Sequence, residues 1–132
     1  MTIALIAEDA KKELMIQFCI AYCGILNHHS IVATSSTAKN VSEATGLSVT
    51  GFLGGAQGGT QQIASRIGYD EIDIVLLFRD TNSTKGSSED CNELLRLCDV
   101  YNIPVATNIA TAEVLIHGLE RGDLDWREIV KS

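Results

Sequence analysis

The chain is expected to fold as an α/β domain with an open, mostly parallel sheet of about five strands, covered by helices on both faces. Three observations carry this expectation. Short apolar runs alternate with longer segments of helical periodicity, the links between them are short, and polar or glycine-rich residues cluster where the strands should end. Consecutive strands joined through helices run parallel, because the crossover returns the chain to its starting edge. A chain of 132 residues suffices for one core but not two, so one domain over 1–132 is expected.

Residues 2–7 (TIALIA) form an apolar run that stops at Glu8 and Asp9, as a buried parallel strand opening into a functional loop would. From about 10 to 25, Leu14, Met15, Phe18, Tyr22 and Ile25 share one helical face, and Asp9 is placed as its N-cap. Residues 30–34 read as the second strand and 35–44 as a helix that Gly46 stops. The third strand is 48–52, followed by a helix over 58–67 with Ile63 and Ile67 inward. Residues 72–78 (IDIVLLF) are the clearest strand, and a polar segment from 79 to 88 follows. Cys91, Leu94, Leu95, Cys98 and Tyr101 then make the stripe of another helix. Residues 103–106, with Pro104, form a fifth short strand, and a helix over about 111–119 aligns Ala112, Leu115, Ile116 and Leu119. A small closing strand is expected over 125–130.

The formal net charge of -7 argues against nucleic acid or an anionic membrane surface as a partner. The N-terminal apolar run is too short for a signal peptide, and no run approaches the ~18 apolar residues of a membrane span, so a cytoplasmic protein is expected. The four cysteines include no CxxC and the histidines do not cluster, so neither a metal nor another cofactor is expected. The thiols read as small core hydrophobes.

In such a sheet ligands bind outside the carboxyl ends of the strands, where loops 8–12, 35–38, 54–60 and 79–90 should meet. The stretch GFLGGAQGGTQQ, residues 51–62, holds five of the eleven glycines. Dense glycine lets backbone N–H groups close on a phosphate. The stretch contains no group that titrates near neutrality; it offers Thr60 where an acid or base would be useful. Lys12 lies one turn beyond the first strand, within reach of a bound phosphate, although a solvated helix lysine would look the same. Ser35, Ser36 and Thr37 bring hydroxyls and N–H groups to a helix start, which serves either an anion or simple capping. Singly, each bland reading is the better one; meeting at one sheet edge, these residues favour an oxyanion pocket. Asp9, Asp80 and Asp90 are the loop carboxylates, Asp90 being equally suited to a helix start. Glu8, at a strand tip, is harder to explain as structure alone. His28, His29 and His117 stand at no strand tip, which argues against histidine catalysis.

From residue 2 to about 126 the chain resembles the methylglyoxal synthases. The stretch LLRLCDVYNIPVATNIATAEVLIHGLERGDLD (94–125) matches that family nearly residue for residue, and IALIAEDAKK, EATGLSVT and GGTQQI match further blocks. The resemblance implies a flavodoxin-like, Rossmann-like α/β/α fold, a homohexamer, and metal-free conversion of dihydroxyacetone phosphate to methylglyoxal and phosphate. Asp9, Lys12, Thr37, Gly55, Asp80 and Asp90 match positions the family uses to bind phosphate or shape the site. Gly54 replaces a phosphate-loop serine, and Ser35 and Ser36 stand where the family has glycine and threonine. Arg127 approximates a C-terminal arginine of the family. The departures fall on the chemistry. The family's catalytic aspartate, in GGDQ, is Thr60; the histidine after strand one is Glu8; the histidine that polarises the carbonyl is Ser87. The expectation is therefore a binder of phosphate or a small phosphorylated metabolite whose lyase activity is lost or strongly reduced. The alternative is an active lyase with a relocated carboxylate base such as Glu8, Asp9 or Asp80.

Overall fold

The computed structural model describes residues 1–52, 58–82 and 87–131. Five strands, β1 (Thr2–Ala7), β2 (Ser30–Thr34), β3 (Val49–Phe52), β4 (Ile74–Phe78) and β5 (Val105–Ala106), form one sheet. All pairings are parallel and the order is β3-β2-β1-β4-β5. This is the expected flavodoxin-like α/β layering, with the 3-2-1-4-5 strand order of Rossmann-type sheets. β1 lies at the centre, Ile3 facing Ile31 on one side and Ile74 on the other.

The helices are α1 (Lys12–Ala21), α2 (Cys23–Leu26), α3 (Ser35–Thr45), α4 (Gly59–Gly68), α5 (Ser87–Val100), α6 (Ile109–Arg121) and α7 (Trp126–Lys131). Alternating side chains of each strand feed two core clusters, one on each face of the sheet, so the single core expected from the length is divided in two by the sheet itself. Ile3, Leu5 and Ala7 pack with Met15 and Phe18 of α1, Val41 of α3, and Ala112 and Ile116 of α6. Ala4 and Ile6 pack on the opposite face with Ile63 and Ile67 of α4 and Leu94 and Cys98 of α5. Burial on both faces is why β1 and β4 read as continuous apolar runs. The Phe18 ring meets Phe78 edge-on at 6.0 Å, fixing α1 across the end of β4.

Four expectations change. The first helix is interrupted: a 3-10 turn (Asp9–Lys11) precedes α1, and Tyr22, at φ -112 and ψ 22, separates α1 from α2. The Tyr22 ring is held against Phe18 and His117 there. Asp9 does not cap; the turn is entered through extended Glu8 without a side-chain cap bond. Finally, 125–130 is not a strand. Trp126, Ile129 and Val130 are spaced i, i+3, i+4, and the segment coils into α7. The fifth strand shrinks to two residues, since Pro104 has no N–H, although its carbonyl still accepts from Val75 N at 3.0 Å.

Gly46 and Gly122 end α3 and α6 in the left-handed region, at φ 76 and 85. A Cβ on Gly122 would lie 2.9 Å from Asp125 Oδ2. Gly122→Ala is therefore expected to lower the urea-unfolding free energy by about 1–2 kcal/mol. Gly24→Ala, with nothing within 4 Å of the added carbon, should not lower it.

Cys19, Cys91 and Cys98 are buried and all four thiols are free. Burial, then the neighbouring Cys23, pushes Cys19 up to about 12. Burial, then Asp99, pushes Cys98 up to about 11. Both stay protonated at neutral pH, which suits packing rather than nucleophilic chemistry. Among the described residues no helix is long and apolar enough to cross a membrane.

Candidate functional site

Because every strand runs the same way, the residues after β1, β2 and β4 emerge at one edge of the sheet. The chain moves outward from β1 to β2 and β3, then crosses back to β4. The switch point therefore lies between the carboxyl ends of β1 and β4.

Glu8 bridges this point. Its N–H donates to the Phe78 carbonyl at 3.0 Å, extending the β1–β4 ladder by one residue. Its Oε1 accepts from the Asp80 N–H at 2.9 Å, and Asp80 Oδ1 accepts from Asn82 N at 3.0 Å. Glu8 thus has a structural part to play after all, holding the turn that leaves β4. The 3-10 turn after it delivers Lys12, whose Nζ lies 3.2 Å from Asp9 Oδ1 and donates to Ser36 Oγ at 2.5 Å. Asp9 is fully exposed, so this ion pair is weakly held and readily exchanged.

Helix α3 begins at the same place. Thr34 precedes it in an extended conformation and contributes no side-chain cap, leaving the first-turn N–H groups without a capping side chain. Ser35 and Ser36 are exposed, whereas Thr37 is only 2% exposed, and its Oγ1 has no hydrogen-bond partner among the described residues. Buried hydroxyls are ordinarily paired, so this one marks a missing acceptor. Thr60 lies in the first turn of α4 after left-handed Gly58, 8% exposed and likewise without a side-chain cap before it. By contrast Asn108 caps α6 through Thr111 N at 2.9 Å.

Ser87 and Asp90 fall in the first turn of α5, which starts at this edge, but their side chains lie outside the described set. Gly54 and Gly55 lie outside the described residues altogether. Among the described residues no three His, Cys, Asp or Glu side chains converge on a metal-sized cluster.

Arg127 is placed elsewhere. It is 4% exposed at the amino edge of the sheet, with Nε 3.5 Å from Asp73 Oδ1 and Nη1 donating to the Asn102 carbonyl at 2.5 Å. Asp73 Oδ2 in turn accepts from Thr2 N at 2.8 Å, just before β4. Within one chain Arg127 therefore clamps the far end of the sheet and does not enter the candidate site. The histidines also stay away: His29 Nδ1 is 3.3 Å from the Met1 nitrogen, and His117 Nδ1 lies 3.9 Å from Glu120 Oε1. An open groove of about 510 Å3, lined by Tyr22, His28 and Glu120 among others, contains none of the candidate residues.

The family model described as MGS-like domain matches residues 15–107. A protein from Caldicellulosiruptor saccharolyticus named methylglyoxal synthase is 59% identical over 130 residues, 98% of this chain and 92% of its own. The chain belongs to the methylglyoxal synthase family. A methylglyoxal synthase from Oceanobacillus iheyensis is 51% identical over 132 residues, covering 100% of this chain and 94% of that one. The crystal structure of methylglyoxal synthase from Elizabethkingia anophelis superposes with a TM-score of 0.82 at 36% identity, covering 87% and 76% of the two chains.

On this methylglyoxal synthase scaffold, hydrogen bonds join Glu8 to Asp80 N and Lys12 to Ser36 at one edge, with Thr37 beside Ser36 in the first turn of α3. Sequence reasoning passed over one residue there. Arg79, the first residue beyond β4, is half-buried at the switch point. A cation immediately after a wholly apolar strand was the available signal.

Proposed function

We propose that the protein binds phosphate or a small phosphate ester of the dihydroxyacetone phosphate kind at the carboxyl edge of its sheet. We further propose that it converts such an ester to methylglyoxal and phosphate slowly or not at all. The observation that carries the binding reading is the buried Thr37 hydroxyl in the first turn of α3, unpartnered among the described residues and beside the Lys12–Ser36 pair. A phosphate oxygen supplies the acceptor that this hydroxyl lacks. The first-turn N–H groups and the helix dipole favour the same negative charge. Lys12 adds a charge-assisted contact by leaving exposed Asp9.

The catalytic reading rests on what stands at the reacting positions. Eliminating phosphate requires a base to remove a proton beside the carbonyl and a group to stabilise the enediolate oxygen. Thr60 occupies the family's base position, and an alcohol of pKa far above neutrality does not accept that proton at neutral pH. Glu8 and Ser87 replace the two histidines. The geometry lends a relocated base no particular support, since Glu8 Oε1 is engaged with Asp80 N, Asp80 with Asn82 N, and Asp9 with Lys12. Assembly as a homo-oligomer, a hexamer by family resemblance, and a cytoplasmic setting belong to the same reading.

Thr37→Val tests the binding site in two directions. Removing a buried, unpaired hydroxyl while keeping its shape should stabilise the ligand-free protein by about 1 kcal/mol. The same change should weaken inorganic phosphate binding, measured by calorimetry, by about 10-fold. A destabilised variant with unchanged phosphate affinity would sink the proposal.

A further inference from the structure

We infer that the exposed apolar face around Arg127, at the amino edge of the sheet, docks on the same face of a second copy of this chain. The inference rests on the homo-oligomer part of the reading above and names the surface that would carry it. Among the described residues eight large hydrophobic side chains are exposed, and six of them are Tyr69, Val100, Tyr101, Trp126, Ile129 and Val130. They come from three segments: the end of α4, the end of α5, and α7. One guanidinium gathers these segments. Arg127 Nη1 donates to the Asn102 carbonyl, Nη2 lies 3.9 Å from Asp70 Oδ1, and the group sits 5.8 Å from the Trp126 ring centroid. Asp70 and Asn102 directly follow Tyr69 and Tyr101, so each segment carries an exposed aromatic residue at or beside its Arg127 contact.

Exposed by 39–76%, the six residues present roughly 700 Å2 of accessible surface, above the ~300–600 Å2 of a monomer's usual largest apolar patch. That area approaches the ~800 Å2 that each partner gives to a standard interface. Water in contact with so much apolar surface favours covering it. The ion pairs next to the face close within the chain: Arg66, one turn before Tyr69, pairs with Glu71 at 3.0 Å, and Arg96, one turn before Val100, pairs with Glu93 at 2.7 Å. Neither arginine is left over for an acidic partner, so the face asks for apolar surface, which its own copy supplies. A two-fold axis requires a surface that complements itself; apolar and aromatic groups do so, whereas a patch of one charge would not. Buried Arg127 fixes the three segments before a partner arrives, so little ordering entropy opposes docking. The face lies at the opposite end of the strands from Thr37 and Lys12, and docking there leaves the phosphate site open.

Sedimentation equilibrium compares the unmodified protein with a double variant, Tyr69→Asp with Ile129→Asp, both positions being 76% exposed and so tolerant of a carboxylate in the lone chain. The unmodified protein should sediment as a dimer or a larger assembly, and the double variant should lower the association constant by about 100-fold or more. Val114→Asp places the same charge on an exposed apolar residue of α6, away from this face, and should leave the mass unchanged. Hydrogen exchange of the unmodified protein gives a readout that needs no variant: the amides of 126–131 should gain protection as the concentration rises through the association range. An assembly that survives the double variant, α7 amides indifferent to concentration, or a loss as large in Val114→Asp overturns the inference and leaves a homo-oligomer standing. An unmodified protein that stays monomeric at every concentration overturns the homo-oligomer reading as well.

Discussion

Dihydroxyacetone phosphate is expected to yield methylglyoxal at least about 10²-fold more slowly with the unmodified protein than with its Thr60→Asp variant, the scale of a positioned acid–base group. The position suits an introduced carboxylate. It lies in the first turn of α4, where the helix dipole favours negative charge, and Thr60 is 8% exposed. Burial there keeps a carboxylate less hydrated and more basic, which helps proton abstraction. With Glu8 and Ser87 also changed, the variant should remain slower than the family's active members. Glu8→Gln should leave the rate of either form intact, because the glutamine carbonyl still accepts from Asp80 N. The assay is methylglyoxal and phosphate release with each variant. Fast turnover by the unmodified protein would end the proposal of lost chemistry. Loss of that turnover in Glu8→Gln would instead assign the base to Glu8.

Arg127→Met is expected to cost about 3 kcal/mol in urea unfolding, the loss typical of removing one partner from a buried ion pair. Arg127 and Asp73 are 4% and 3% exposed. The clamp joins α7 to the start of β4 through Asp73, and to the turn after α5 through the Asn102 carbonyl. Without the guanidinium, Asp73 keeps the Thr2 N–H but loses the Arg127 Nε 3.5 Å from its Oδ1. Adding Asp73→Asn to Arg127→Met should therefore cost less than the sum of the single changes, by about 1 kcal/mol or more. Strict additivity, or a single-variant loss below about 1 kcal/mol, would show that the pair is not the clamp. Phosphate affinity should stay unchanged in any folded variant, since Arg127 lies at the opposite edge from Thr37.

The parts of the fold most legible from the residues are those buried on two faces. The runs that became β1 and β4 are apolar at nearly every position because α1, α3 and α6 cover one side and α4 and α5 the other. The last element was misread for the converse reason. Trp126, Ile129 and Val130 are 48%, 76% and 73% exposed, so no core face disciplines the pattern of α7. A short, exposed apolar cluster is compatible with either secondary structure until the fold places it.

The site divides along the same line. Parallel strands alone imply that residues following β1, β2 and β4 share an edge, which is why Glu8, Lys12, Thr37 and Asp80 were legible as a group. Their individual roles depended on which strands became neighbours. Glu8 and Asp80 are 72 residues apart and meet because β4 pairs with β1. The same pairing brings Glu8 Oε1 to the Asp80 N–H and puts Arg79 directly after β4 at the switch point. Local periodicity and glycine placement determine helix, strand and turn through interactions spanning a few residues. Partnerships such as Glu8 with Asp80 N, or Arg127 with Asp73, arise from strand order and burial, which no local pattern encodes.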